Sequence, residues 1–584
     1  MKNLFFIFLI AFSASFAAAQ ETFSADSSVI SSEKIEKAID TTPSSDFKRP
    51  AAEKNSADYE LSGLIEIQSN HTGEARKALW SSLPKQLSNG MTIVAILILL
   101  SACASKLSSW INMPCLLVFL AVGMLFGEEG IGHIRFDNPI EANVIGSIAM
   151  SFILFSGGFD TNWKNVKGIA SCGGILSSLG VLLTALSVGI ASYYFLSWAA
   201  PNYNVRFSWC FLLGSIVSST DAAAVFAILR SRSVSLRGEL RSLLEFESGS
   251  NDPMAAFLTI FLIGVVLTEM TTGSSADFSA YRMILPSFIQ KMLLGVVLGI
   301  TWGKLLVWLY NKIDLEYDGL YYVLGIGAVI LSYGATELLQ GNGFMSVYVT
   351  GLVMGNSKFI YRNGVGRFSD GIAWLMQVVL FGMLGLLVSP SLLISICWQG
   401  LAIALILMLF ARPLSVFLCM IGSKFNLRER LLISWVGLRG GAPIMLATFP
   451  LMAEIPQNSM MFHIVFFIVL TSVVFQGMTL MPFARLLKLD MPLRVHPRVP
   501  LEFDNTGTMN GDTREFEILP DSPLVGRTLS AAGLPKGALV LLIRRGGKYV
   551  VPRGDTVIEQ NDGLLVLSET ASVLDETEQM LSKV

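Results

Sequence analysis

The stretch "LLEFESGSNDPMAAFLTIFLI", Leu243 to Ile263, decides the fold. Its second half is an apolar run of the kind that enters a bilayer, yet its first half carries Glu245, Glu247, Asn251 and Asp252 with no Lys or Arg among them. A carboxylate at the centre of a membrane costs about 2.5 kcal/mol or more, so several in one span require a function or a partner. The rest of the chain has the matching character. Its 584 residues are 52% hydrophobic and 15% charged, with a mean hydropathy of +0.59, whereas soluble chains carry about 25% charged residues. This is the composition of an all-α polytopic membrane protein, with membrane lipid as its first partner.

Composition also removes alternatives. The formal net charge of −2 leaves no basic surplus for phosphates, which excludes nucleic acid as a partner. The six cysteines stand singly in or beside apolar runs, and the four histidines have no second ligand type at metal spacing. They read as core and interfacial residues rather than as a disulfide framework or a metal site. No nucleophile–base spacing and no Walker phosphate loop is present, so neither an enzyme nor an ATP-driven pump is expected, and no cofactor.

Thirteen apolar segments lie near 91–107, 110–127, 142–159, 169–198, 206–229, 240–269, 284–311, 319–339, 343–356, 368–389, 393–421, 431–451 and 462–487. Each is long enough, or nearly so, to cross about 30 Å of hydrocarbon. Ahead of them, residues 1–19 have a short apolar core and small residues at Ala17 and Ala19, the pattern of a cleaved signal peptide. Residues 20–87 are polar and read as a disordered tail outside the membrane. A cleaved signal followed by thirteen crossings places the C-terminus inside. The alternate loops agree, holding fourteen Lys and Arg on the inner side against three on the outer.

Four polar breaks interrupt these spans: "SGGFDTNW" from Ser156, "SSTDAAAV" from Ser218, "SGSNDP" from Ser248 and "GLRGGAP" from Gly437. Irregular backbone is tolerated at membrane depth only where protein packs on it or a wet cavity adjoins it, and interrupted helices mark ion sites in transporters. Glu247 and Asn251 are four apart, as are Ser248 and Asp252, which gives two adjacent polar rows on one face if the segment is helical. The plain alternative is a capping cluster ahead of Pro253. Thr220 and Asp221 add a second polar point in a span of small residues. Arg439 needs a carboxylate to be tolerated in its span, and Glu247 is the candidate, a structural ion pair that leaves Asp252 to titrate.

Beyond Leu489 the character changes. Residues 489–513 read as a linker, and 514–584 as a small cytoplasmic α+β module with short strands, a hairpin turn at Gly546–Gly547, a short helix near Leu529 and a terminal helix.

"SSTDAAAV", then "LEFESGSNDP", then "WVGLRGGAP" together resemble the monovalent cation:proton antiporter-1 family, most nearly its NhaP-type potassium/proton members, over roughly residues 90–488, within a transmembrane exchanger domain expected at 88–488. The module is similar to the TrkA-C (RCK C-terminal) domain. The resemblance implies about thirteen transmembrane helices in an inverted-repeat antiporter fold, a bacterial inner membrane location, a homodimer and a small cytoplasmic ligand for the module. Carried over by motif position, Asp252 is the carboxylate that takes cation or proton, and Asn251 is its neutral neighbour. Ser248, Thr220 and Asp221 complete the ion site, and Glu247 pairs with Arg439. Ser156 stands where many relatives have an acid, and Asp160 either replaces it or caps a helix end.

A buried carboxylate that holds either a proton or a cation, in a carrier that switches only when it is loaded, gives obligatory exchange. One acid beside a neutral Asn251 predicts one proton per cation. The module's company favours K+ as the cation, with Na+ as the alternative. The rival class is a gated passive potassium pathway, against which no filter-like "TVGYG" run is found.

Overall fold

The computed structural model describes residues 115–492 and 512–582, apart from short stretches at 132, 135, 137, 200–204, 232–233, 237, 274–280, 519–521, 523, 547 and 569–570, together with 95, 98 and 99. Of the segment expected at 91–107 only residues 95, 98 and 99 are described, all three helical, and the signal peptide and the tail lie outside the described residues. From 110–127 onward, every expected apolar segment contains helix.

Leaving aside the short turns Trp163–Val166 and Pro390–Ser395, the helices in chain order are α1 Cys115–Phe126, α2 Pro139–Asp160, α3 Ala170–Ala199, α4 Phe207–Ile216, α5 Ala222–Ser231, α6 Leu240–Thr272, α7 Ile284–Lys312 and α8 Gly319–Leu338. They continue with α9 Gly343–Gly355, α10 Arg362–Leu386, α11 Cys397–Cys419, α12 Leu427–Trp435, α13 Gly441–Met452 and α14 Asn458–Leu486. Among the described residues, eight helices are long and apolar enough to cross a membrane singly: α2, α3, α6, α7, α8, α10, α11 and α14. The others are short, or are halves of a broken span. The chain is a multi-pass membrane protein.

Only two of the four expected breaks interrupt a span. Residues 217–221 separate α4 from α5, and 436–440 separate α12 from α13. The Ser248–Pro253 stretch, expected to interrupt its span, is continuous helix within α6. Pro253 removes a single backbone donor there, and the polar side chains around it find partners on the facing break. "SGGFDTNW" falls at the natural end of α2, where Thr161 is the C-cap.

The helices sort by packing into two sets. α9 lies between α2 and α7, and α10 packs on α1 and α2, while α3 packs on α4, α6 and α11, and α14 packs on α11. α2 begins where the sequence says it should: Asn138 Oδ1 accepts from the Ile140 and Glu141 N–H groups, with Pro139 at the first position, where no helical donor is needed. α6 belongs to the second set, and so do both breaks.

Short strands complete the fold. β1 Val234–Leu236, between α5 and α6, pairs antiparallel with β2 Asp490–Pro492, just after α14. The start of the stretch expected to be a plain linker is therefore hydrogen-bonded strand. A three-residue strand containing proline leaves no readable periodicity. The module is a four-stranded antiparallel sheet of β3 Asp512–Glu517, β4 Ala538–Arg545, β5 Lys548–Val550 and β6 Gly563–Ser568, in the order β3-β6-β4-β5, followed by α15 Ala571–Ser582. Gly546, at φ 54°, makes the expected β4–β5 turn, and Leu529–Ala531 forms one turn of 3-10 helix.

Candidate ion site at two facing helix breaks

The two breaks meet. The Asp221 N–H donates to the Leu438 carbonyl at 2.8 Å, and Arg439 Nη1 donates to the carbonyls of Ser218 and Ser219, both at 2.6 Å. These carbonyls lie just beyond the C-terminal end of α4, where a helix leaves acceptors without internal partners and carries partial negative charge. Arg439 is thus a built-in cation on an open helix end. Its own N–H donates to Ser472 Oγ at 3.2 Å, and Ser472 is tied to Gln476 Oε1 at 2.5 Å. Glycine is required at 440, because a Cβ there would collide with the Asp221 carboxylate.

The start of α5 is capped from two directions. Asp221 Oδ1 accepts from the Ala224 N–H at 3.1 Å, and Ser248 Oγ of α6 accepts from the Ala222 N–H at 3.0 Å. Ser248 Oγ in turn donates to the Thr220 carbonyl at 2.9 Å, and Asn251 Nδ2 donates to Thr220 Oγ1 at 2.5 Å. One turn of α6 is therefore laced to the first break by the residues that share its polar face. Beside them, Ser219 Oγ donates to Asp252 Oδ1. Asn251 is fully buried, and its Oδ1 has no hydrogen-bond partner.

The structure brings together Thr220, Asp221, Ser248, Asn251 and Asp252. It corrects one pairing. Glu247 Oε1 is bridged at 2.6 Å by Arg412 Nη2, not by Arg439, and both side chains are at most 4% exposed. The reason is positional: Arg439 is committed to the Ser218 and Ser219 carbonyls of the first break, whereas α11 widens into a π turn at Leu407–Ala411 immediately before Arg412, a local change often found at functional positions. Arg412 and Ser219 are the two site residues that the sequence reading missed. A single Arg inside the apolar span 393–421 was the available signal for the first. For the second there was none, because in "SSTD" an irregular backbone decides which side chain points inward. Ser156 is buried in α2, and Asp160 is exposed at the end of that helix. Glu245 forms an i, i+4 pair with Arg241 at 2.9 Å.

A half-buried carboxylate beside two facing broken helices, in a polytopic helical protein, defines the class: an ion-coupled secondary transporter. Comparison with known proteins then narrows it. The transmembrane sodium/hydrogen exchanger family model matches residues 94–486, and the TrkA-C domain matches 513–579. The chain belongs to the sodium/hydrogen exchanger family and is a cation/proton antiporter. It is 39% identical over 484 residues to the K(+)/H(+) antiporter NhaP of Alkalimonas amylolytica, covering 83% of this chain and 82% of that one. It is 37% identical over 487 residues to the K(+)/H(+) antiporter NhaP2 of Shewanella oneidensis, covering 82% and 81%. The solved structure of the sodium proton antiporter MjNhaP1 from Methanocaldococcus jannaschii at pH 8 shares the fold, with a TM-score of 0.56 at 24% identity, over 67% of this chain and 99% of that one.

Proposed function

We propose that the protein exchanges K+ for H+, one for one, with Asp252 as the carboxylate that carries either ion. The observation that carries this reading is the placement of Asp252: an acid within the ion-site turn of α6, held by a hydroxyl from the break, beside an unpartnered Asn251 oxygen. Proton and cation compete for such a group, because a cation favours its charged form and an apolar surrounding its neutral form. The other acids nearby are engaged otherwise. Glu247 is neutralised by Arg412, and Asp221 caps α5 against Gly440. A single exchangeable charge makes the cycle electroneutral.

K+ rather than Na+ is supported by the names of the relatives that match more than four-fifths of this chain, and by the TrkA-C module that accompanies the exchanger. In this reading the protein lies in the bacterial inner membrane with its N-terminus outside and its C-terminus in the cytoplasm. It acts as a homodimer, and the module binds a small ligand and sets the exchange rate. The domain limits follow the sequence expectation of 1–19 and 20–87 ahead of the exchanger at 88–488, then 489–513 and the module at 514–584, except that β3 opens the module at Asp512, inside the expected linker.

The test is proton flux in everted vesicles on addition of K+, Na+ or Rb+. Wild type responds most strongly to K+ and Asp252→Asn to none. An Asp252→Asn protein that still exchanges, or a wild-type flux that follows membrane voltage alone, refutes the assignment.

A further inference from the structure

Three hydroxyls stand side by side in the first break, and the structure distinguishes their uses. Ser218 Oγ turns back and donates to the Ser215 carbonyl of its own helix at 2.6 Å. Thr220 Oγ1 accepts from Asn251 Nδ2. Only Ser219 turns its hydroxyl to Asp252, and its carbonyl is fixed by Arg439 at 2.6 Å. Ser219 is fully buried. Its position is therefore set from both ends: Arg439 holds the peptide, and the carboxylate orients the hydroxyl.

Ser248, in contrast, is saturated. It accepts from the Ala222 N–H and donates to the Thr220 carbonyl, so its hydroxyl serves to hold α6 against α5. A hydroxyl has one donor and two acceptor lone pairs. The Ser219 hydroxyl has given its donor to Asp252 and accepts no hydrogen bond among the described residues. When a cation settles on the carboxylate, rotation of this hydroxyl turns a lone pair toward the ion without any backbone movement. The free lone pair on the buried Asn251 Oδ1 lies on the next residue of the same turn.

We infer that Ser219 is a cation ligand of the exchanger, sharing the transported ion with Asp252, and that Arg439 is a positioning residue that acts through the Ser219 peptide. This deepens the proposed function and rests on Asp252 being the exchange carboxylate. The ligand is a hard hydroxyl oxygen, suited to an alkali cation, and a thiol in its place is a poor substitute.

The experiment compares wild type, Ser219→Ala, Ser219→Thr, Ser219→Cys and Asp252→Asn, reconstituted into vesicles, with proton flux measured against K+ concentration. Purified protein supplies a second readout, the rise in Tm on replacing choline chloride by KCl. Ser219→Ala is expected to raise the half-saturating K+ concentration about tenfold, the effect of one lost contact to an ion, with a smaller change in maximal rate and a reduced K+-dependent rise in Tm. Ser219→Thr restores both, and Ser219→Cys does not. A half-saturating concentration unchanged in Ser219→Ala, or raised as far in Ser219→Thr as in Ser219→Ala, overturns the inference. If Ser219→Ala does not assemble in the membrane, the Thr and Cys variants decide alone: equal behaviour of the two overturns it. Loss of exchange in Asp252→Asn together with an unaltered Ser219→Ala refutes only the role of Ser219. Exchange persisting in Asp252→Asn refutes the reading of the site itself.

Discussion

Removing Arg412 tests the arrangement of charges most sharply. Its Nη2 lies 2.6 Å from Glu247 Oε1, with side-chain exposures of 4% and 1%. With the charge centres about 4 Å apart and an effective dielectric constant of about 20, their attraction is about 4 kcal/mol. Arg412→Met leaves a carboxylate alone in the interior and should destabilise the protein by about 3–5 kcal/mol, as should Glu247→Gln with the guanidinium left behind. The double variant lacks both charges and should be much less damaged than the sum, giving a coupling energy of about 2–3 kcal/mol within the range for directly bonded residues. The assay is a double-mutant cycle on stability in detergent, followed by denaturant titration of the purified protein. A parallel cycle pairs Glu247→Gln with Arg439→Met. Strong coupling to Arg412 and weak coupling to Arg439 is the expected result, and strict additivity at Glu247–Arg412, or a larger coupling at Glu247–Arg439, refutes the pairing.

Gly440→Ala drives a methyl into the Asp221 carboxylate and should cost about 1–3 kcal/mol by overpacking, with exchange reduced at least tenfold in vesicles; Gly264→Ala, where a Cβ meets open space, should leave flux and stability as they are. In the module, Arg545 grips the fully buried Asp562 with Nε at 3.0 Å and Nη2 at 2.7 Å. Arg545→Met should open the β4–β5 hairpin to protease, at a cost of about 2–4 kcal/mol, reduced by the partial exposure of the Arg. Outside the spans, the hydroxyl and N–H of Ser391 hold the Glu129 carboxyl below the usual glutamate range. A lowered folded pKa stabilises above the unfolded value, and that contribution is lost as pH falls through the folded one. Glu129→Gln should therefore lower Tm at neutral pH, and the gap to wild type should close in acid below about pH 4.

Much of this was legible because polar residues in an apolar span have few interpretations. Asp252, Asn251, Ser248, Thr220 and Asp221 were read from spacing and motif, and all five stand at the crossing. What was not legible depended on distance in space. Glu247 announced its need for a cation, but nothing in the chain chooses between Arg412 and Arg439, because the choice is made by the open end of α4. The continuous α6 was misread as broken because Gly, Ser, Asn and Pro weigh against helix in isolation, whereas contacts with the facing break outweigh those preferences here. The module was easier: its turn glycines and short apolar strand runs are local signals, and β4 through β6 follow them.

The two-stranded ribbon has a mechanical consequence. Val234–Leu236 hangs between the two helices that frame the ion site, and Asp490–Pro492 is the first chain after the last membrane helix. Lys424, ahead of α12, adds a clamp on Glu239 at 2.5 Å, ahead of α6. A pull on the chain beyond Pro492 thus loads the α5–α6 connection directly across backbone hydrogen bonds, as a rein acts on a bit. That load meets the connection between α5, which begins just after the break holding Ser219, and α6, which carries Asp252, and the stiffness of the tether is set by the six residues of the ribbon.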